Sequence, residues 1–266
     1  MTVLGAIFPP DQPPEQLRAV AEAAERSGLE QLWIWEDCFA ESGIATAAAV
    51  LGWTERVQVG IGLLPVPLRN VALTAMELAT LQRLFPGRII PGLGHGVAEW
   101  MDQVGNLAAS PMTLLREYTA ALTGLLAGDE VSTQGRYVRL DKVKLAWPPV
   151  TPPTVLVGGV RQKTVTLAGE LSNGVILTGD TRLEDLPAAL DWVRTGRSRS
   201  ERPGDPDVVV FIAVADRPSA AELADRISHY AAAGVTHAIL LSVGDDAPPL
   251  PEFVEFVASE VRPLVD

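Results

Sequence analysis

Gly28-Leu29-Glu30-Gln31-Leu32-Trp33-Ile34-Trp35-Glu36-Asp37 contains one complete passage from helix to strand to loop. Ahead of it, from about Pro14, Leu17, Val20, Ala21 and Ala24 share one helical face. Gly28 closes that helix, because glycine takes the left-handed backbone after a helix end without a side-chain clash. Residues 32–35 then run apolar without alternation, as a strand covered on both faces requires. Glu36 and Asp37 follow at once, so charge begins where the strand ends.

The same exchange repeats outward in both directions. Residues 3–7 read as the strand before this helix. Beyond the quoted stretch come a helix near 44–51, a strand at 57–61, and a long helix with Val71, Ala75, Leu78, Leu81 and Phe85 on one side. Pro86-Gly87 breaks that helix, and a fourth strand occupies 88–93. The rhythm then stops: a helix at 112–126 leads into short extended pieces between Val131 and Trp147, closed by Pro148-Pro149 and Pro152-Pro153. It resumes with strands at 154–157, 174–177, 208–214 and 238–243, separated by helical patterns and ended by one carrying Phe253, Phe256, Val257 and Val261. Eight such units close a barrel of parallel strands. The expected fold is therefore α/β, a single (β/α)8 TIM barrel over 1–266 with a short insertion between the fourth and fifth strands. An open doubly wound sheet is the structural competitor.

The 266 residues are 47% hydrophobic, enough for a large core, and their net charge of -12 repels phosphate backbones and anionic lipid. Neither nucleic acid nor a membrane is an expected partner. Cys38 is the one cysteine, so no internal disulfide forms and no cysteine-rich metal site exists. No basic segment with an apolar stretch precedes the first strand, and no run is long enough to span a bilayer, so a cytoplasmic location is expected.

Barrel chemistry gathers where strands end. Those positions carry Trp35-Glu36-Asp37-Cys38, Leu63-Leu64-Pro65, Gly94-His95-Gly96, Gly158-Gly159-Val160-Arg161 and Thr178-Gly179-Asp180. Gly158-Gly159 before a helix with Arg161 and Lys163 can converge N–H groups on a phosphate, although tight strand-to-helix turns account for such glycines as readily. Glu36 and Asp37 can act as acid or base, or form a solvated pair. His95 between two glycines either meets a ligand or hydrogen-bonds within its turn. His229 and His237 read as structural, no histidine pair has metal-ligand spacing, and no nucleophilic serine motif is present. Trp33 belongs to the core; Trp35 and Trp100 belong to the core or to a pocket wall.

Taken in order, several segments resemble the luciferase-like monooxygenase superfamily, particularly its deazaflavin-dependent actinobacterial branch, the users of coenzyme F420. They are the quoted stretch, Arg56-Val57-Gln58-Val59-Gly60-Ile61-Gly62, and Pro86-Gly87-Arg88 leading into Gly92-Leu93-Gly94-His95-Gly96. Gly135-Arg136-Tyr137, Val157-Gly158-Gly159 and residues 167–175 continue the match.

The resemblance implies a tricyclic ring in the barrel mouth, backed by a bulge at Gly62-Leu63 that contains a non-proline cis peptide in relatives. It implies a phosphate-bearing tail near Gly158, Gly159, Val160 and Arg161, and hydride exchange with a stacked substrate. The expected cofactor-binding set is Gly62, Leu63, Gly94, His95, Gly96, Gly158, Gly159, Val160, Arg161, Thr178 and Gly179. Glu36, Asp37 and His95 are the catalytic candidates and share one expected pocket; no metal is expected. Two departures stand out. Many deazaflavin relatives have Asp-His where this chain has Glu36-Asp37, and Val97 replaces the glutamate of the sugar-phosphate dehydrogenase branch.

The leading expectation is a deazaflavin-dependent reductase or dehydrogenase acting on a small, uncharged or apolar substrate. The alternatives are an FMN-dependent monooxygenase, a non-catalytic flavin-binding barrel, and a metal-dependent lyase or hydrolase using Glu36, Asp37 and His95. A homodimer is compatible with each of them.

Overall fold

The computed structural model describes residues 2–179, 181–200, 202–215 and 217–265. The chain begins with β1 (Val3–Phe8), α1 (Leu17–Ser27), β2 (Gln31–Ile34), α2 (Gly43–Trp53), β3 (Gln58–Pro65), α3 (Val71–Leu84) and β4 (Ile89–Gly94). It continues through α4 (Ala98–Gln103), α5 (Pro111–Ala127), β5 (Val131–Gln134), β6 (Arg139–Val143), β7 (Leu156–Gly158) and α6 (Gln162–Leu171). The last elements are β8 (Gly174–Leu177), α7 (Leu186–Arg197), β9 (Asp207–Val214), α8 (Ala220–Ala232), β10 (His237–Ser242) and α9 (Leu250–Phe256).

Eight strands form one closed parallel barrel in the order β1-β10-β9-β8-β7-β4-β3-β2. Closure is made at β1, where Gly5 pairs with Gln31 on one side and Ile239 on the other. The expected TIM barrel is present, and no open sheet edge remains in it. The extended pieces after the fourth barrel strand are an antiparallel pair, β5 with β6, outside the barrel. Glu117 of α5 holds their turn by accepting from the backbone N–H groups of Arg136, Tyr137 and Val138 at 2.9, 2.8 and 3.0 Å. The short helix α4 was not anticipated, because six residues give too little periodicity to read.

Alternation along each strand divides the core in two. Leu32, Ile34, Val208, Val210, Ala238 and Leu240 face the helices. Ile7, Trp33, Ile90, Leu156, Ile176, Val209, Phe211 and Ile239 fill the barrel interior. Trp33 fits because its neighbour across the ladder is Gly60, where any Cβ would overlap the indole. At the bottom of the barrel, Trp33 Nε1 donates to Gln31 Oε1 (2.9 Å), Gln31 Nε2 to Gln58 Oε1 (3.0 Å), and Gln58 Nε2 to the Gly87 carbonyl (3.0 Å). Among the described residues no helix is long and apolar enough to cross a membrane.

Candidate active site at the barrel mouth

β3 runs four residues past its expected end at Ile61, and the extension carries a bulge. Ile61 pairs with Pro91 but Leu64 with Leu93, so three steps along β3 match two along β4. The Gly62–Leu63 peptide is cis, as is Cys38–Phe39. Leu63 is half-buried at the top of the interior cluster. A Cβ at Gly94 or at Gly158 would collide with its side chain. Both glycines therefore serve packing as well as proximity to the mouth: they leave space in two neighbouring strands for one leucine.

Just past Gly94 and Gly158, between the β4–α4 loop and the start of α6, lies a cavity of about 710 Å³. Its walls include His95, Gly96, Gly159, Val160, Arg161 and Thr178 from the sequence-derived set, and Met101, Met112, Lys163 and Thr164 in addition. Gly96 has φ +70°, and a side chain there would also press on Met101 and Pro65. The Gly159 N–H is already used, donating to the Ile176 carbonyl at 3.0 Å in the ladder toward β8. The amides that follow it open α6, and no side chain caps that helix. Arg161 and Lys163 stand exposed there and make no ion pair among the described residues. Thr178 reaches the same cavity, Gly179 turns at φ +66°, and Asp180 lies outside the described residues.

His95 faces this cavity from the end of β4. Its Nε2 lies 3.3 Å from Thr164 Oγ1, and its Nδ1 is buried without a hydrogen-bond partner. Burial lowers the imidazole pKa, so the neutral ring is favoured; the nearby Pro111 backbone offsets part of this without forming a geometrically sound bond to Nδ1.

Glu36 and Asp37 lie elsewhere, and the cavity lined by His95 takes in neither. The expectation of one pocket shared by all three is corrected on this point. Glu36 is buried, with 7% of its surface exposed, and both its oxygens are engaged. Arg69 binds it in a two-pronged pair, through Nη1 to Oε1 and through Nη2 to Oε2 at 2.8 Å, and the Gly43 N–H donates to Oε2 at 2.6 Å. Arg69, just before α3, is the functional neighbour that sequence reading missed, since nothing local ties residue 69 to residue 36. Asp37 is half-buried, and desolvation raises its pKa. The Cys38 thiol is pushed up by burial and then by the charges of Glu36 and Asp37. Among the described residues no three His, Cys, Asp or Glu side chains are grouped as metal ligands.

From Leu63 an apolar floor crosses the mouth. Phe211 approaches Gly62 so closely that a Cβ would strike its ring, and Trp35 packs on Phe211 with centroids 5.7 Å apart. Leu241 of β10 completes the floor. The arrangement is a barrel with a flat apolar platform, a basic helix start on one side, and a neutral imidazole between them.

Residues 2–255 match the family model for luciferase-like monooxygenase. The chain belongs to this family. Two relatives of the luciferase-like chain are F420 or methanopterin enzymes by name. It is 28% identical to the 5,10-methylenetetrahydromethanopterin reductase of Methanolobus tindarius, over 78% of this chain and 63% of the relative. It is 29% identical to the F420-dependent hydroxymycolic acid dehydrogenase of Mycobacterium tuberculosis, over 79% of this chain and 62% of the relative. The chain thus spans a little under two thirds of the length of each. In three dimensions it resembles an F420-dependent secondary alcohol dehydrogenase in complex with an F420–acetone adduct, with a TM-score of 0.89 at 19% identity, covering 100% of this chain and 99% of the other.

Proposed function

We propose that this protein is an oxidoreductase that binds the deazaflavin coenzyme F420 in the barrel mouth and exchanges hydride with a small organic substrate. The observation that carries the reading is the cavity that runs from His95 at the end of β4 to the uncapped, basic start of α6. About 710 Å³ is within the range of cofactor sites. The family membership and the F420-dependent relatives support the same cofactor.

The residues present fit such a cofactor. An anionic tail needs local donors, because the net charge of -12 repels it at a distance. The amides opening α6, with Arg161 and Lys163, provide them. A ring needs a flat apolar support with hydrogen-bonding groups at its edge; Leu63 with Gly62 and Gly94 offers the first, and His95 with Thr164 on the cavity wall the second. When bound, a deazaflavin supplies two-electron hydride chemistry.

The chain's own residues divide the remaining work. Glu36 holds no free oxygen, so it acts as a positioning residue that ties residues 36–43 to Arg69. Asp37, with its raised pKa and partial exposure, is the carboxyl able to move a proton. The test is a titration of the purified protein with F420 and, separately, with FMN, followed by the fluorescence of each cofactor. Saturable binding of F420, tighter than that of FMN, is expected; tighter binding of FMN overturns the assignment.

A further inference from the structure

The mouth holds a second cavity, of about 690 Å³, across from the first and between the ends of β1 and β10. Trp35 and Leu241 belong both to its wall and to the apolar floor, so this cavity opens onto the floor that Phe211 and Leu63 continue. Their charges differ. Arg161 and Lys163 line the first cavity, which has no acidic wall residue among those described. The second has no cationic wall residue among those described, and its single charged one, Asp11, is exposed. Its remaining polar side chains, Gln12, Gln16 and Ser242, are neutral. Arg217 donates to the Asp246 carbonyl at 2.5 Å near this rim but is not part of the wall.

We propose that the substrate occupies this second cavity and is an uncharged organic compound, with its apolar body against Trp35 and Leu241. This rests on the oxidoreductase reading above and adds to it the place and charge class of the substrate. The reason is desolvation. An anion entering the cavity loses water and meets no cation in return, next to Asp11 and under a net charge of -12. A neutral molecule incurs no such cost and buries its apolar surface on the indole. Segregation of charge across the mouth thus assigns the anionic tail to one side and a neutral substrate to the other, and it disfavours phosphorylated or carboxylated substrates.

The test uses three matched pairs: acetophenone with 4-acetylbenzoate, cyclohexanone with 4-oxocyclohexanecarboxylate, and phenol with 4-hydroxybenzoate. Binding to the whole protein is measured by ligand-observed NMR, with and without F420. At least one neutral member should bind about tenfold tighter than its carboxylated partner. Trp35→Ala should weaken that binding about tenfold while Trp35→Phe largely retains it. Gln12→Arg, on a surface loop, should narrow the gap by strengthening the carboxylated member. Equal or tighter binding of the carboxylates, no binding by any neutral member, or neutral binding indifferent to Trp35→Ala overturns the proposal. Because the panel is also run without cofactor, a failure of F420 to bind is read separately and counts against the oxidoreductase reading alone.

Discussion

Trp33 lies within β2 and Trp35 one residue past its end, and both pack into the cluster that fills the barrel interior, yet they are treated in opposite ways. Trp33 has no exposed surface, and its N–H is bonded to Gln31, which is bonded in turn to Gln58. Trp35 is partly exposed, and its N–H is buried without an acceptor. The chain Trp33–Gln31–Gln58 satisfies one indole N–H at the bottom of the barrel, whereas Trp35 Nε1 and His95 Nδ1 at the mouth have no partner. Native interiors rarely tolerate such orphans, and these two lie on residues that line the cavities of the mouth. The difference separates residues that hold the barrel from residues that use it.

Arg69 tests that division most severely, because it lies at the mouth but is bonded like the bottom. Arg69→Met leaves Glu36 charged, buried and missing its main partner. The expected cost is about 3–5 kcal/mol, the usual loss when one member of a buried pair is removed. Urea unfolding measures it. A loss under about 1 kcal/mol shows that Glu36 finds water or a new donor, and that the mouth is loose even here.

Arg161 is the opposite case, an exposed residue without an ion pair among the described ones. Arg161→Ala should leave stability within about 0.5 kcal/mol, as for surface changes generally. Its F420 binding should weaken by about 1.5–3 kcal/mol, the worth of a hydrogen bond to a charged group. The salt dependence of binding should also fall. Unaltered cofactor affinity at low salt removes Arg161 from the site.

The two tryptophans themselves give a matched pair. Trp33→Phe deletes the donor to Gln31 and leaves a buried amide oxygen unsatisfied, which costs about 1–3 kcal/mol beyond the change in volume. Trp35→Phe deletes a donor that bonds nothing, so no such cost applies. Comparing the two variants by thermal unfolding reads the difference directly. Equal losses show that packing alone, not hydrogen bonding, distinguishes the ends.

The sequence made the barrel readable because burial on two faces writes long apolar strands, and helices between them keep their own period. β8 was read to the residue, and most other strands to within one or two. β3 was cut short at Ile61 because Gly62-Leu63-Leu64-Pro65 breaks the pattern at the bulge. In the site, His95 and the β7–α6 turn were legible as polar or glycine-rich strand ends. The Glu36–Arg69 pair was not, since it spans 33 positions and depends on how two loops fold over one another. Nor could periodicity show that Leu63 fills the space left by Gly94 and Gly158, because that contact joins three strands.

Asp37 carries the smallest expected effect and the finest form of the contrast. Its neighbour Glu36 has its charge met by a guanidinium, whereas Asp37 is raised in pKa by desolvation alone. A raised carboxyl pKa means that the folded protein holds its proton more tightly than the unfolded chain does. Stability from this group is therefore greatest at low pH and declines as pH rises through the folded pKa, leaving a net cost at neutrality. Asp37→Asn should remove that cost, giving a slightly higher melting temperature than wild type at pH 7. The gain should shrink as pH falls through the folded pKa, because protonation of the wild-type carboxyl removes the same cost. At the same time the variant loses a group able to move a proton, so turnover should drop while F420 affinity stays. A melting temperature that falls at pH 7 instead, or a gain that does not shrink as the pH is lowered, means that Asp37 is stabilised by an interaction that desolvation does not describe.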